Sequence, residues 1–319
     1  MAEQRLVSFA QQAKEEIVNN PTSDEWKRSL LSAYFRINGE MHLSQGRQEL
    51  LLTSESAQIA KAIYEAVTSI YGVKARFAYT RGIHFKKKVK YHVLVSEPDY
   101  LLGDLEVDYW TGKIPHNAVA TQELAAAYLS GAFLASGSVN DPAKPNYHLE
   151  ISLTDESYAR WLAKLINKSQ QRPFSAKIIQ RRNRSIVYLK RSEEIADFLI
   201  LVGATNSCLQ FENVRVERDF QNSINRLQNL DQGNLKKTMS ASKRQLEEIA
   251  YFQEHGGFSS FQNPKFEALM ELRLQHEDAS LDELAELLSE ELASTVSKSN
   301  INHLFRELHQ RYLDEQAKR

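Results

Sequence analysis

The feature that most restricts the fold of this chain is a repeat. Residues Leu31 to Gly39 read LSAYFRING, and residues Leu129 to Gly137, 98 positions on, read LSGAFLASG. Each piece ends a stretch with apolar residues at helical spacing. Each is followed by a turn and an alternating segment closing on Thr, QELLLT over 48–53 and HLEISLT over 148–154. Alternation with period two marks a strand with one buried face. Both strands lead into a helix pattern, Glu55 to Tyr71 and Glu156 to Lys168, with Ser54 and Asp155 as expected N-caps and Gly72 as the first helix's stop. The order helix, strand, strand, helix, strand, strand, helix therefore occurs twice, at a period of roughly 100 residues, as an internal duplication would produce.

Small residues give the repeated helix a packing role. Ala127, Gly131 and Ala135 are spaced by four in the second copy, and so are Ser29 and Ala33 in the first. With little Cβ bulk on that face, two helix backbones can approach closely. The two repeated helices are expected to pack on each other as the axis of a pseudo-two-fold domain.

The chain has 319 residues, which at roughly 150 per domain suggests two folded units. Its single cysteine, Cys208, excludes an internal disulfide framework and a cysteine-based zinc site, and points to a cytoplasmic protein. The N-terminal residues mix charges with apolar positions and lack a signal-peptide core. The longest uncharged run, Leu124 to Asn140, is 17 residues and carries Ser, Gly and Asn, too short and too polar to span a bilayer. No membrane partner is implied. After Gly203 the pattern changes to long polar helices, Asn206 to Leu230 and Asn234 to His255, with a break expected at Asp231-Gln232-Gly233. Three short amphipathic helices follow: Lys265 to Gln275, Leu281 to Leu288 and Lys298 to about Leu313. Ser280 and Glu283 form an expected capping box, and Ser297 an expected cap.

The formal charge of −1 conceals two basic ribbons. From Lys74 to Lys90 there are seven cations (Lys74, Arg76, Arg81, Lys86, Lys87, Lys88, Lys90) and no acid. From Lys164 to Arg191 there are nine, among them Lys177, Arg181, Arg182 and Arg184, again with no acid. Both runs fall on the last two strands of their repeat. A solvated strand face explains one such run as well as a ligand does; two at matching positions favour the phosphates of a duplex, which local field attracts whatever the net charge. In the last helix, Ile301, Leu304, Phe305 and Leu308 form a buried stripe, leaving Ser297, Lys298, Ser299, Asn302, His303 and Arg306 as candidate contacts to base edges.

Enzyme signatures are missing: there is no Walker A stretch, G-x-G-x-x-G, H-E-x-x-H or G-x-S-x-G. Asp104, Glu106 and Asp108 are a tight acidic group, read here as a solvated turn rather than a cation site. No cofactor and no metal are expected.

The duplicated LS-x-x-F-x-x-x-G helix ends resemble the LAGLIDADG motif of homing endonucleases, and nearly the whole chain resembles the bacterial WhiA family of sporulation and cell-division regulators. The similarity is carried by Gly131 to Pro142 (GAFLASGSVNDP), by Tyr147 to Ile151 (YHLEI), by Asn225, Arg226, Asn229, Asn234, Lys237 and Thr238, and by Val296 to His303 (VSKSNINH). Leu230 and Gly233 depart from the family's usual Cys and Ala. The resemblance implies an α+β protein: a pseudo-two-fold, LAGLIDADG-like αββαββα duplicated domain over 1–205 (repeats about 20–105 and 119–205), a helical linker over 206–257, and an all-α helix-turn-helix domain over 258–319. In nucleases of this fold an acid before the final Gly of each motif holds divalent metal. Here Asn38 and Ser136 stand in those places, an amide and a hydroxyl without the anionic oxygens a hard cation needs. The resulting expectation is a non-enzymatic, sequence-specific transcriptional regulator of cell division, chromosome segregation or sporulation, located at the nucleoid. Double-stranded DNA and a transcription-machinery or regulator protein are its expected partners. The alternatives are a residual metal-dependent endonuclease using Glu40 or Asp141, and a protein-interaction scaffold built on acidic helices such as Asp282 to Glu291.

Overall fold

Ser8, Ser23, Ser56, Thr121 and Asp155 each place a side-chain oxygen on a backbone N–H two or three residues ahead, starting five of the helices of the first half of the molecule. The computed structural model describes residues 7–44, 47–82, 89–169, 173–256, 261 and 263–317. The elements run α1 (Phe9–Asn19), α2 (Asp24–Asn38), β1 (Gly39–Ser44), β2 (Arg47–Ser54), α3 (Ala57–Tyr71), β3 (Ala75–Arg81), β4 (Val89–Ser96) and α4 (Asp99–Asp104). A 3-10 turn at Asn117–Val119 precedes the second copy, α5 (Gln122–Ser136), β5 (Gly137–Val139), β6 (Leu149–Leu153), α6 (Glu156–Lys168), β7 (Lys177–Arg181), β8 (Arg184–Leu189) and α7 (Ser192–Leu201). The helical remainder is α8 (Thr205–Glu254), α9 (Pro264–Gln275), α10 (Leu281–Glu291) and α11 (Lys298–Ala317).

The duplication is present at every level. The two antiparallel sheets have orders β1-β2-β4-β3 and β5-β6-β8-β7, which are the same topology. Ser32 and Ser130, equivalent in the two motifs, are both buried, and each donates to the carbonyl of the residue closing its own repeat's last helix, Leu105 (2.6 Å) and Val202 (3.0 Å). A buried hydroxyl needs such a partner, so the repeated Ser ties each motif helix to the end of its own repeat. α2 and α5 pack on each other: a Cβ placed on Gly131 would stand 2.0 Å from the Leu30 carbonyl oxygen. The core around them includes Leu31, Tyr34, Phe35, Leu129, Phe133, Leu50, Val93, Ile151 and Val187.

Three details differ from the sequence reading, the last of them in the core of the second unit. The cap of α3 is Ser56 rather than Ser54; Ser54 Oγ instead accepts the Ser56 N–H at 3.1 Å, ahead of the helix. α8 runs through Gly233 without a break. A single helical glycine costs about 1 kcal/mol, too little by itself to interrupt a helix that continues through Leu235, Lys236 and Lys237.

The chain divides into two compact units, Met1–Asp219 and Phe220–Arg319. In the second, Ile249 and Phe252 from the end of α8 join Phe266, Leu269, Leu284, Leu288, Ile301, Leu304, Phe305 and Leu308 in one core, so four helices build it rather than three. The expected Ser280–Glu283 capping box is formed. The α10–α11 turn bends at Ala293, whose φ of 47° is left-handed, and is closed by Ser289, whose hydroxyl accepts the Val296 N–H at 2.9 Å.

Candidate nucleic-acid interface

Strand register decides which cations share a face. Leu50, Leu52, Val93 and Val95 are buried on the side of the first sheet that its helices cover. Side chains alternate across a strand, so Arg76, Lys90, His92, Glu40 and Glu49 lie on the open side. Lys74 sits just before β3 in the same phase. Arg81 is turned to the other side, its guanidinium 5.6 Å from the Tyr79 ring centroid. Lys86, Lys87 and Lys88 lie outside the described residues. In the second sheet, Lys177, Arg181 and Arg184 share the open face with Ser152, Glu150 and Tyr188. Arg182 occupies the two-residue turn with Asn183, both at positive φ (48° and 60°), a mirror-image turn suited to a tight hairpin.

These faces are not bare fields of charge. Arg76 donates to Glu49 at 2.7 Å across the first sheet. Arg184 is anchored by Ser152, Nε to Oγ at 2.6 Å and a terminal nitrogen to the carbonyl at 3.0 Å, which fixes its fork while leaving its charge unneutralised. The second sheet thus presents cations with Glu150 as its acid, and Glu150 is itself engaged by His148 (2.9 Å).

The motif positions are neutral in structure as in sequence. Asn38 Nδ2 donates to Thr53 O at 2.6 Å, and Ser136 Oγ is buried without a hydrogen-bond partner. Among the described residues no three His, Cys, Asp or Glu converge as a metal site. The Asp104–Asp108 acids are separately employed: Asp104 accepts from Tyr71 (2.6 Å), Glu106 accepts from the N–H groups of His116 and Asn117 (both 2.8 Å), and Asp108 caps Trp110 and Thr111. Asp141 accepts the Ala143 N–H at 2.9 Å in a turn.

A polar cavity of about 720 Å³ opens between α1, the ends of α2 and α5, and the open face of the first sheet; Lys14, Asn38, Glu40, Thr53, Glu55, Lys90 and His92 are among its lining residues. Burial pushes the Lys14 ammonium down to about 8, with the Glu55 charge opposing. Tyr34, also in the wall, is fully enclosed and its phenol is pushed up to about 12 by burial. Lys14 does not stand out in the sequence, because α1 lies outside the repeat. The only signal is a lysine following Ala13, within the Phe9, Ala13, Ile17 stripe that is buried.

In the second unit, Ile301, Leu304, Phe305 and Leu308 are buried as the sequence indicated, and Ser297, Lys298, Ser299, His303 and Arg306 are placed on or beside α11 away from that stripe. Of these, Ser297, Lys298, Ser299 and Arg306 are exposed, and His303 is exposed beside a half-buried Asn302. Ser297 Oγ accepts the Asn300 N–H (3.3 Å), so it caps α11. Lys298 Nζ lies 2.5 Å from Asp282 on α10.

Three family models match in chain order: the WhiA N-terminal LAGLIDADG-like domain over residues 24–107, the WhiA LAGLIDADG-like domain over 125–221 and the WhiA C-terminal HTH domain over 224–312. The probable cell division protein WhiA of Lactobacillus acidophilus (strain ATCC 700396 / NCK56 / N2 / NCFM) is 37% identical over 310 residues, covering 96% of this chain and 98% of the relative. This chain belongs to the WhiA family. A second WhiA relative, from Lactobacillus delbrueckii subsp. bulgaricus (strain ATCC BAA-365 / Lb-18), is 36% identical over 311 residues, covering 96% and 98% of the two chains. The crystal structure of full-length DUF199/WhiA from Thermatoga maritima shares the fold, with a TM-score of 0.58 at 22% identity over 97% of this chain and 99% of that one. As a WhiA-family chain it combines two LAGLIDADG-like halves with a helix-turn-helix region, and no helix among the described residues is long and apolar enough to cross a membrane.

Proposed function

We propose that this protein is a non-enzymatic, bipartite DNA-binding transcriptional regulator acting in cell division, chromosome segregation or sporulation. α11 reads base edges and the open faces of the two sheets hold phosphates. The observation that carries the reading is the two-sided character of α11. Its Ile301, Leu304, Phe305, Leu308 stripe is committed to the core, while Ser299, His303 and Arg306 project from the opposite side, within a segment matched by the family's helix-turn-helix model. A helix fixed by its apolar face and carrying donors and acceptors on its free face is suited to a major groove. The cation sets Lys177, Arg181, Arg184 and Lys74, Arg76, Lys90 would add affinity without sequence preference.

Loss of nuclease activity belongs to the same proposal. The metal-binding acids of the fold are replaced by Asn38, whose amide is spent on Thr53, and by the neutral Ser136. Binding to the nucleoid in the cytoplasm follows, and a regulator or transcription protein is the second partner proposed. The test is a gel-shift titration on genomic fragments, with Arg306→Ala and His303→Ala. The variants are expected to lose discrimination between target and unrelated duplex while retaining salt-sensitive binding. Unchanged discrimination removes α11 from the role, and cleavage of a plasmid with Mg²⁺ or Mn²⁺ that survives purification and vanishes in Glu40→Ala restores an enzyme.

A further inference from the structure

Leu209, Val216, Phe220, Leu227 and Leu230 fall on one line along α8. Their steps of 7, 4, 7 and 3 residues are those of a coiled-coil seam, with Leu209, Val216 and Leu230 at d positions and Phe220 and Leu227 at a positions. Each is 59 to 63% exposed, and none belongs to either core. α8 is fastened by other residues: Phe211 is buried and Arg218 donates to the carbonyls of Pro142 and Lys144 (2.9 and 2.8 Å), on the side of the helix opposite the line. Single exposed apolar side chains are ordinary, whereas five in register along one helix make a patch that calls for a partner. The remaining seam positions are the exposed Asn213, Ser223 and Asn234, and Lys237 at the next one ends the pattern.

A seam of this period is covered by another helix of the same period, and the flanking charges select which one. Glu212, Asp219 and Arg226 flank it at g positions, Glu217, Ile224 and Asp231 at e positions. In a parallel pair of α8 helices g faces e, so Glu212 meets the partner's Glu217, a like charge. In an antiparallel pair g faces g. With Phe220 against the partner's Ser223 and Leu227 against the partner's Val216, Asp219 meets the partner's Arg226 and Arg226 meets the partner's Asp219. No like charges then face each other. The large ring lies against the small hydroxyl residue, and Asn213 and Asn234 fall in the outer layers, where water reaches their amides. The five apolar side chains and their flanks would leave water over roughly 600 Å² per copy, at the low end for a specific interface. A dissociation constant in the tens of micromolar is expected of it.

We propose that this face of α8 is a self-association surface, on which two copies of the chain pair antiparallel along Val216 to Leu230. The inference stands apart from the DNA-binding reading and does not depend on it.

Sedimentation equilibrium of the full-length chain without DNA, from about 1 to about 200 µM, brackets the expected constant. The mean mass should rise with concentration toward twice that of one chain. Phe220→Glu and Leu227→Glu, both at positions exposed in the single chain, should weaken association more than tenfold and leave the thermal unfolding midpoint of the dilute protein unchanged. Asp219→Arg alone and Arg226→Asp alone set like charges against each other in both pairs, and each should weaken association by about tenfold. Asp219→Arg combined with Arg226→Asp should restore the wild-type constant, which a parallel pair could not do, since Arg226→Asp would there face the partner's Asp231. A wild-type mass independent of concentration overturns the proposal, as does a dimer indifferent to Phe220→Glu and Leu227→Glu. A double charge reversal no tighter than the single ones overturns the antiparallel pairing.

Discussion

Gly131 on α5 meets the backbone of Leu30 on α2 so closely that a methyl group has nowhere to go: its carbon would lie 2.0 Å from the Leu30 oxygen and 2.8 Å from the carbonyl carbon. The obstacle is main chain in the middle of a packed helix, so relief requires the two repeats to separate. Overfilling a core costs about 1–3 kcal/mol where side chains can yield, and more where they cannot. Gly131→Ala should therefore lower the stability of the first unit by at least about 3 kcal/mol, read from urea unfolding. Gly103→Ala on α4, with nothing within 4 Å, should be neutral or stabilising by about 0.5 kcal/mol.

Alkaline pH should unfold the first unit through its buried phenols. Tyr34 is pushed up from 10.0 to about 12, and Tyr128 and Tyr158, hydroxyl to hydroxyl at 2.8 Å, are also raised, all chiefly by burial. With the folded-state values above the unfolded one, the native form holds more protons in between. Stability is thus fully present below about pH 10 and lost as pH rises through the folded-state range. Urea midpoints measured from about pH 8 to about 11.5 should fall steeply above about 10, and the fall should be shallower in Tyr34→Phe. A pH-independent midpoint would mean that these hydroxyls are wet.

The fold was legible because its signals are local and repeated. Period-two strands, Asp155, Gly72 and the Ser280–Glu283 box depend on neighbours within a few residues, and all are found where the sequence places them. Even the serines of the repeat have a shared reason, since Ser32 and Ser130 bond the ends of their own repeats. What stayed hidden is what only tertiary structure assigns. Strand phase turns Arg81 away from Arg76, Glu49 across the sheet takes up Arg76, and α1 delivers Lys14 to a cavity made by residues from other segments. Arg273 is the clearest case: a charged residue on α9 that no local pattern singles out, it is 1% exposed.

Arg273 holds the second unit together at the α9–α10 turn. One terminal nitrogen donates to the carbonyls of His276 (3.2 Å), Glu277 (3.2 Å) and Ala279 (2.7 Å), and the guanidinium lies 5.5 Å from the Phe305 ring centroid on α11. Leucine would fill the space but leave the Ala279 carbonyl without its donor, an orphan costing about 1–3 kcal/mol, while His276 O keeps the Ala279 N–H and Glu277 O keeps the Ser242 hydroxyl. Arg273→Leu should destabilise the unit by about 1–3 kcal/mol and speed hydrogen exchange in α9, α10 and α11, with exchange in α2 and α5 unaffected. Uniform acceleration across the whole chain would contradict this local role.

The cations of the two sheets should differ in their contribution to DNA affinity. Arg76 is already paired with Glu49, whereas Arg184 is positioned by the neutral Ser152 and keeps its full charge for a ligand. Every phosphate that a variant no longer neutralises reduces the salt slope by about 0.9. Arg184→Gln together with Arg181→Gln should reduce it by nearly twice that, and Arg76→Gln by much less. Equal slopes for the two sheets would show that the Glu49 pair opens on binding.

Lys298 at the start of α11 is held by Asp282 at the start of α10, Nζ to Oδ2 at 2.5 Å, with both side chains more than half exposed. In the free protein this cation is partly neutralised, and a DNA phosphate or base must displace the carboxylate to use it. An exposed ion pair is worth about 0–1 kcal/mol, so its removal has a bounded effect. Asp282→Ala should raise DNA affinity by up to about fivefold, more at low salt than at high, because the repulsion between this acid and the phosphates is removed as well. Lys298→Ala should weaken binding, and in the double variant the gain from removing Asp282 should shrink, since part of it acts through Lys298. If Asp282→Ala gives the same gain whether or not Lys298 is present, the two residues are not coupled and Lys298 does not face the duplex.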